Sequence, residues 1–365
     1  VIFSFTLAIL SIGYLQGFNR RAGMKRILLC FSLLLFILSC DKYQKLAIGN
    51  DGPIYTVVDD SLWAHIENHI RPLVEKEIRT PQVERIYYFE PIPLSKLKDN
   101  RFSKNLMLIT TLDRTDKTSL YVQRTLPDTA IQMINRGEKY FFPVRNKLAK
   151  RQIFMVLAAP DEEKLTAFLQ NDGDEILMAL NRAFIDRQFD QIYFKAEEKT
   201  MTKEIFNKYG FSFRVPHSYM ILEDNPGERV LQLGRTNPFR WITIYWQDGG
   251  LTSVLEEKWA VTMRHWLSMN YLDGTYVEKR FLTHRVTNWG NRPVYNIRGL
   301  WGHPEKTMGG PFSSFYFYDG VTDRTYFIDV TVWAPGQTKN VYLRQMELIV
   351  STFFTNENVL REYIK

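Results

Sequence analysis

Hydrophobic and polar residues alternate in blocks along this chain, and each block predicts an element. Asp60 or Ser61 caps a helix whose apolar residues Leu62, Ile66, Ile70, Leu73 and Val74 recur at helical spacing. Arg85–Glu90 and Asn105–Leu112 read as strands, and Pro127–Asn135 as a helix that Gly137 stops. Tyr140–Val144 and Gln152–Ala158 read as a strand pair. Pro160-Asp161-Glu162-Glu163 opens a helix, with proline at the boundary and acids in the first turn. A second helix follows Asp172-Gly173-Asp174, and a charged, mostly helical stretch from about Asp190 to Lys208 connects the two halves.

The second half reads differently. Phe211–Val215, Tyr219–Leu222, Arg229–Gly234 and Arg240–Trp246 are successive strands, and Asp248-Gly249-Gly250 turns the chain. A helix then presents Leu255, Trp259, Met263 and Trp266 on one face. Two hairpin signals follow, Asn288-Trp289-Gly290-Asn291 and Asp319-Gly320. After the second, Tyr326, Ile328, Val330 and Val332 alternate with Phe327, Asp329, Thr331 and Trp333, which predicts a strand with two distinct faces. Pro335-Gly336 ends it, and a last helix carries Val341, Met346, Ile349 and Val350. The fold class is α+β: two α/β domains, the second an antiparallel sheet covered by helices.

The N-terminal region follows another rule. Lys25 and Arg26 come directly after Met24, and the apolar stretch Ile27–Leu38 follows. It suits a signal-peptide core and is short for a bilayer-spanning helix, which needs roughly 20 residues. The block Ile37-Leu38-Ser39-Cys40 resembles the lipobox of bacterial lipoproteins. That resemblance implies lipid on the Cys40 thiol and cleavage between Ser39 and Cys40. One myristoyl-sized chain binds a membrane only marginally, each buried CH₂ adding about 0.8 kcal/mol, so two or three chains make a lasting anchor. Residues 1–23, largely apolar to Phe18, are read as sequence upstream of the true start at Met24, with an extra membrane segment as the alternative. The organisation is therefore an upstream segment and signal peptide over 1–39 and a tether over 40–52. An N-terminal α+β domain (53–192), a connecting segment (193–208) and a C-terminal domain (209–365) complete it.

Composition adjusts this picture. Removing residues 1–39 leaves 326 residues, enough for two domains. Those 39 residues hold Arg20, Arg21, Lys25, Arg26 and no acid, so the formal +7 falls to +3. With no Lys/Arg-rich run and no nucleic-acid motif, a nucleic-acid partner is not expected. The two cysteines are Cys30, lost with the signal peptide, and Cys40, consumed by lipid. No disulfide or thiolate zinc site is left, and the fold must rest on its core.

Candidate chemistry is sparse. His65-Ile66-Glu67-Asn68-His69 sets two imidazoles one turn apart, but Glu67 fits neither zincin pattern, so no metal is assigned. Asn171-Asp172-Gly173-Asp174-Glu175 lacks the alternating ligands of a calcium loop and reads as a helix–helix turn with Asp at the N-cap. There is no Gly-x-Ser-x-Gly elbow and no phosphate loop after Gly309-Gly310-Pro311. No cofactor is expected. Seven of the eight tryptophans lie between Trp241 and Trp333. Trp246, Trp259 and Trp266 read as core. Trp289 and Trp301, with His303 in Trp301-Gly302-His303-Pro304, are candidate ligand or partner contacts.

Two resemblances complete the reading. The second half, from Tyr209-Gly210-Phe211-Ser212-Phe213-Arg214-Val215-Pro216 to Val350-Ser351-Thr352-Phe353, resembles the PsbP-like α-β-α sandwich. That fold is often used in accessory subunits. The whole is similar to an uncharacterised Bacteroidota envelope lipoprotein family, a domain of unknown function. These resemblances imply a non-enzymatic binding or accessory lipoprotein of the cell envelope, on the outer membrane facing the periplasm, with an envelope protein or glycan as partner. The alternative is an envelope hydrolase acting on glycan or peptide, with its site between the domains.

Overall fold

The computed structural model describes residues 44–194, 196–250 and 256–364. Ser39, Cys40 and Leu255 lie outside the described residues. From Leu46 onward the chain forms one compact unit built on two large sheets.

The first half opens with β1 (Pro53–Val57) and α1 (Asp60–Val74). A two-stranded ribbon, β2 (Glu77–Arg79) and β3 (Val83–Arg85), leads to β4 (Tyr88–Ile92) and a short α2 (Leu97–Asn100). Then come β5 (Asn105–Thr111), α3 (Lys117–Thr125), α4 (Asp128–Asn135), β6 (Phe141–Arg145) and β7 (Ile153–Ala159). α5 (Glu162–Asn171) and α6 (Asp174–Ile192) close this half. The sheet order is β4-β1-β5-β7-β6, parallel except for β6. Strand β5 is buried along its whole length, as a central parallel strand must be when both faces are covered. Ile66, Ile70 and Val74 of α1, with Leu165 of α5 and Leu180 of α6, cover one face. Val122 of α3 and Ile134 of α4 cover the other.

α7 (Lys199–Tyr209) leads into the second half. Three meandering strands, β8 (Met220–Asn225), β9 (Val230–Arg235) and β10 (Phe239–Asp248), precede α8 (Glu257–Tyr271). β11 (Tyr276–Trp289), β12 (Arg292–Gly302), β13 (Gly309–Asp319) and β14 (Arg324–Trp333) follow, then α9 (Asn340–Val350) and α10 (Glu357–Ile364). The seven strands, ordered β11-β12-β13-β14-β10-β9-β8, are all antiparallel. The alternation in β14 sorts its faces as the pattern predicts. Tyr326, Ile328, Val330 and Val332 pack with Ile205 of α7 and Leu343 and Met346 of α9. Phe327 and Trp333 turn to the α8 side with Ala260 and Leu267.

Several expectations need correction. α1 is capped by Asp59, whose carboxylate accepts from Ser61 N, rather than by Asp60 or Ser61. The strand expected over Arg85–Glu90 is two elements, because Ile86 leaves the ribbon before Tyr88 enters the main sheet. Phe211–Val215 is not a strand: Ser212 makes one bridge to Phe354, and its neighbours pack as core beneath α9. At 171–175 the N-cap of α6 is Gly173, not an Asp. A Cβ there would stand 2.4 Å from Leu169 O and from Leu73 Cδ1, so only glycine fits. The buried face of α8 is Ala260, Arg264, Leu267 and Ser268, one residue round from the expected tryptophan stripe. A buried arginine makes the polar pattern mislead.

That arginine is part of a polar layer inside the second half. Arg264 and Asp329 are both 0% exposed, with Nε 2.8 Å from Oδ1. Asp329 also accepts from Ser314 Oγ at 2.6 Å and from Thr331 Oγ1 at 2.8 Å. Arg264 donates further to Ser268 and Thr331 and lies over the Phe312 ring.

Candidate functional site

The two halves interlock through polar groups, and the seam leaves a cleft. Glu84 of the ribbon accepts from Lys339 N and Asn340 N, so a first-half carboxylate caps a second-half helix. Gln345 of α9 donates to Gln188 of α6 at 2.7 Å and accepts from Arg240 at 3.0 Å. Gln188 in turn donates to Asp51, which is held by Arg187 and Lys104. Asp51 is 8% exposed and carries two cations, so it is a structural carboxylate.

Beside this seam Trp289, at the end of β11, lines a cleft of about 500 Å³. Its ring packs on Phe315 and Phe317, with centroids 4.9 and 5.6 Å away. The first half contributes Ile78, Ile86, Asn181 and Phe184. Three arginines face in. Arg344 of α9 lies 3.5 Å over the Phe184 ring and donates to Tyr87 Oη and Asn181 Oδ1, both at 3.0 Å. Arg298 of β12 grips Glu347 with two nitrogens, Nε at 2.7 Å and a terminal one at 2.5 Å. Arg285 of β11 donates through Nε to Asn296 Oδ1 at 2.9 Å and has no carboxylate partner among the described residues. Desolvation first, and the like charge of Arg298 second, lower the Arg285 pKa. Three guanidiniums and one carboxylate leave a surplus of positive charge, and an incoming carboxylate would relieve it.

The other two sequence candidates lie elsewhere. Trp301 is 4% exposed on the α8 face, and its Nε1 donates to Val332 O at 3.3 Å. It borders a small pocket of about 160 Å³ with Trp241, Tyr271 and His303. His303 Nδ1 accepts from Glu305 N and Lys306 N, both at 3.0 Å, and Nε2 stands 3.3 Å from Asp273. Both ring nitrogens are engaged, so this imidazole holds the β12–β13 turn. The tertiary fold therefore does not bring Trp289 together with Trp301 and His303.

Carboxylates gather at a different place. Where β1, β5 and β7 end, Arg114 takes Asp59, Asp116 and Glu162 at 2.6, 3.1 and 2.7 Å. This is the crevice at the carboxyl ends of parallel strands where α/β sheets commonly bind ligands. Here the acids are committed. Asp59 caps α1, and Asp116 caps α3 through Thr118 N and Ser119 N. The Ser61 hydroxyl holds the Asp59 pKa down. The Asp116 pKa is also low: burial raises it, but hydrogen bonds from Ser119 and Arg114 outweigh that. A general acid needs the opposite shift. His65 meets Thr166 and Glu162 of α5, and among the described residues no three His, Cys, Asp or Glu side chains group as metal ligands.

Arg285, Arg298 and Arg344 had no signature in the sequence. They are single basic residues in amphipathic strands and a helix, and only the packing of α9 against β12 and α6 unites them. Trp289 was detectable because it borders a hairpin turn.

Residues 197–352 match a family described as a domain of unknown function (DUF4837), and residues 47–193 match another domain of unknown function (DUF8532). Both halves thus match uncharacterised families. No curated protein matches the chain. Among solved structures, a point mutant of the protein Mog1 is 12% identical with a TM-score of 0.29, covering 42% of this chain and 95% of that one. The Saccharomyces cerevisiae Ran-binding protein Mog1p is 13% identical with a TM-score of 0.28, covering 41% and 93%. A Bacteroides thetaiotaomicron protein is 14% identical with a TM-score of 0.25, covering 40% and 45%.

Proposed function

We propose that this chain is an envelope lipoprotein of the uncharacterised Bacteroidota kind, anchored through lipid on Cys40 and facing the periplasm from the outer membrane. It binds a partner and does not turn it over. The working site is the cleft at Trp289, and the partner presents an acidic segment. One observation carries this reading: Arg285, Arg298 and Arg344 surround an indole with a single carboxylate, Glu347, already gripped by Arg298. Arginine beside an exposed aromatic edge is the usual chemistry of an anchoring point for a carboxylate-bearing partner. The layering of the second half, α8 on one face and α7 with α9 on the other, supports the PsbP-like reading.

The hydrolase alternative has less support, because the cleft between the halves holds no second carboxylate to pair with Glu347. The test is cross-linking of the native, lipidated protein in its own envelope, with identification by mass spectrometry. A reproducible partner joined through an acidic peptide, and lost in Arg285→Glu and Trp289→Ala, supports the reading. A glycan adduct at the cleft replaces the protein partner with a polymer. Turnover of envelope glycan or peptide by the purified protein overturns it. Removal by protease shaving of intact cells rejects the periplasmic placement.

A further inference from the structure

The first half carries a second opening, on the sheet face away from α1. A trough of about 620 Å³ runs between α2, α3, α4 and the β6–β7 edge, a size ordinary for a ligand pocket. Its floor is apolar: Leu97, Leu126, Phe142, Phe154 and Val156 lie along it. Apolar residues stay open to solvent at its lip, Val144 at 42% and Leu148 at 37% exposure.

Charge at the rim has one sign. Among the described residues, Lys98, Arg101 and Lys147 border the trough, no Asp or Glu does, and none of the three makes an ion pair. Elsewhere in this half Arg71, Lys104, Arg114 and Arg151 sit on carboxylates, while Lys117, Lys139 and Arg182 make no ion pair among the described residues.

A third observation concerns the chain's entry. Leu46 bridges to Lys150 and Ile48 to Ser103, with Ala47 N on Lys150 O and Ile48 N on Phe102 O. The first residues of the compact unit therefore run beside Arg101 and the 147–150 turn, at the cationic end of the trough. Leu46 and Ile48 are 53% and 66% exposed. Cys40 is six residues upstream of Leu46, a reach of at most about 20 Å for an extended chain.

We infer that this trough takes an acyl chain of an anionic membrane phospholipid, its phosphate held by Lys98, Arg101 and Lys147. The apolar floor matches the acyl chain, the unpaired cations match the phosphate, and the entry of the chain puts this end of the fold nearest the bilayer. The last point rests on the anchor reading at Cys40; the trough's chemistry does not.

The experiment uses the purified full-length native protein in vesicles carrying a trace of photoreactive phosphatidylglycerol or photoreactive phosphatidylcholine, with labelled peptides mapped by mass spectrometry. The expected result is phosphatidylglycerol labelling within 94–101, 121–130 or 142–156, about tenfold or more above phosphatidylcholine, since each cation near an anionic lipid adds appreciably. The triple variant Lys98→Glu, Arg101→Glu, Lys147→Glu should bring the two lipids level. Leu148→Asp, at an exposed position, should abolish both signals while leaving the thermal midpoint in place; Val144→Asp serves as the second such variant. Equal labelling by both lipids in the unaltered protein overturns the inference. So does labelling confined to other segments, or labelling by a photoreactive fatty acid alone. Cys40→Ala separates the two readings. Loss of vesicle association with the same labelling ratio in the remaining bound fraction supports both, and persistent association overturns the anchor while the labelling ratio still judges the trough.

Discussion

Replacing Asp329 by Ala tests the most exposed-to-failure piece of physical reasoning in this fold. Arg264 and Asp329 are both fully buried between α8 and the second sheet. Removing the carboxylate strands a guanidinium that has no route to water, and two hydroxyls, Ser314 and Thr331, lose their acceptor. Breaking a buried pair in this way costs about 3–5 kcal/mol. Against a total of roughly 5–15 kcal/mol, that removes a large share of the stability. The assay is urea unfolding followed by tryptophan fluorescence. Seven of the eight tryptophans lie between Trp241 and Trp333, so the signal reports this half. The midpoint should fall sharply in Asp329→Ala, by an amount equivalent to a factor of about a thousand in the unfolding constant. The exposed pair Arg361–Glu357 is the control, and Glu357→Ala should change stability by less than about 0.5 kcal/mol. The double variant Arg264→Met, Asp329→Leu removes both charges and should recover most of the loss, because apolar replacements of a buried pair are often neutral or better. A cost below about 1 kcal/mol for Asp329→Ala, or a double variant no better than the single one, refutes the reasoning.

Two further outcomes follow from the same geometry. Asp59 and Asp116 have lowered pKa values in the folded state, so the stability they contribute is present above about pH 4 and is lost as pH falls through their folded values. The double variant Asp59→Asn, Asp116→Asn should therefore flatten the acid limb of the stability–pH curve, read by thermal melting in buffers from neutral to acid. Glu84→Ala should cost about 1.5–3 kcal/mol, because the N-terminus of α9 loses charge-assisted bonds to Lys339 N and Asn340 N. Hydrogen exchange should rise selectively at those amides, and unchanged exchange there would contradict the capping role.

The working cleft divides cleanly into what one segment encodes and what packing assembles. Trp289 announces itself by its place beside Gly290-Asn291, the loop that joins β11 to β12. Arg344 and Glu347 sit on a helix whose apolar positions Met346, Ile349 and Val350 were legible, but nothing in that pattern says what the polar flank meets. Arg344 meets Phe184 and Tyr87, 160 and 257 residues away in the chain, and Glu347 meets Arg298, 49 residues away. Likewise Phe211–Val215 has the composition of a strand, and only the arrival of Phe353 and Phe354 makes it core.

By itself, the sequence determined many of the periodic elements, the two-faced β14, the hairpins and an antiparallel second half, but not β1, α3 or the parallel pairing of the first sheet. The legible features depend on residues two to four positions apart, whose side chains share a face whatever the rest of the chain does. It also carried the lipobox-like block at Cys40, a local signal read by composition. Tertiary structure alone decided that Arg264 is buried, that Glu84 caps a helix of the other half, that His303 is spent on its own turn, and that arginines outnumber carboxylates in one cleft and basic residues rim one trough. Those facts depend on which distant groups arrive next to one another, and the energy of burying or pairing a charge is set by those neighbours and not by the residue's own place in the chain.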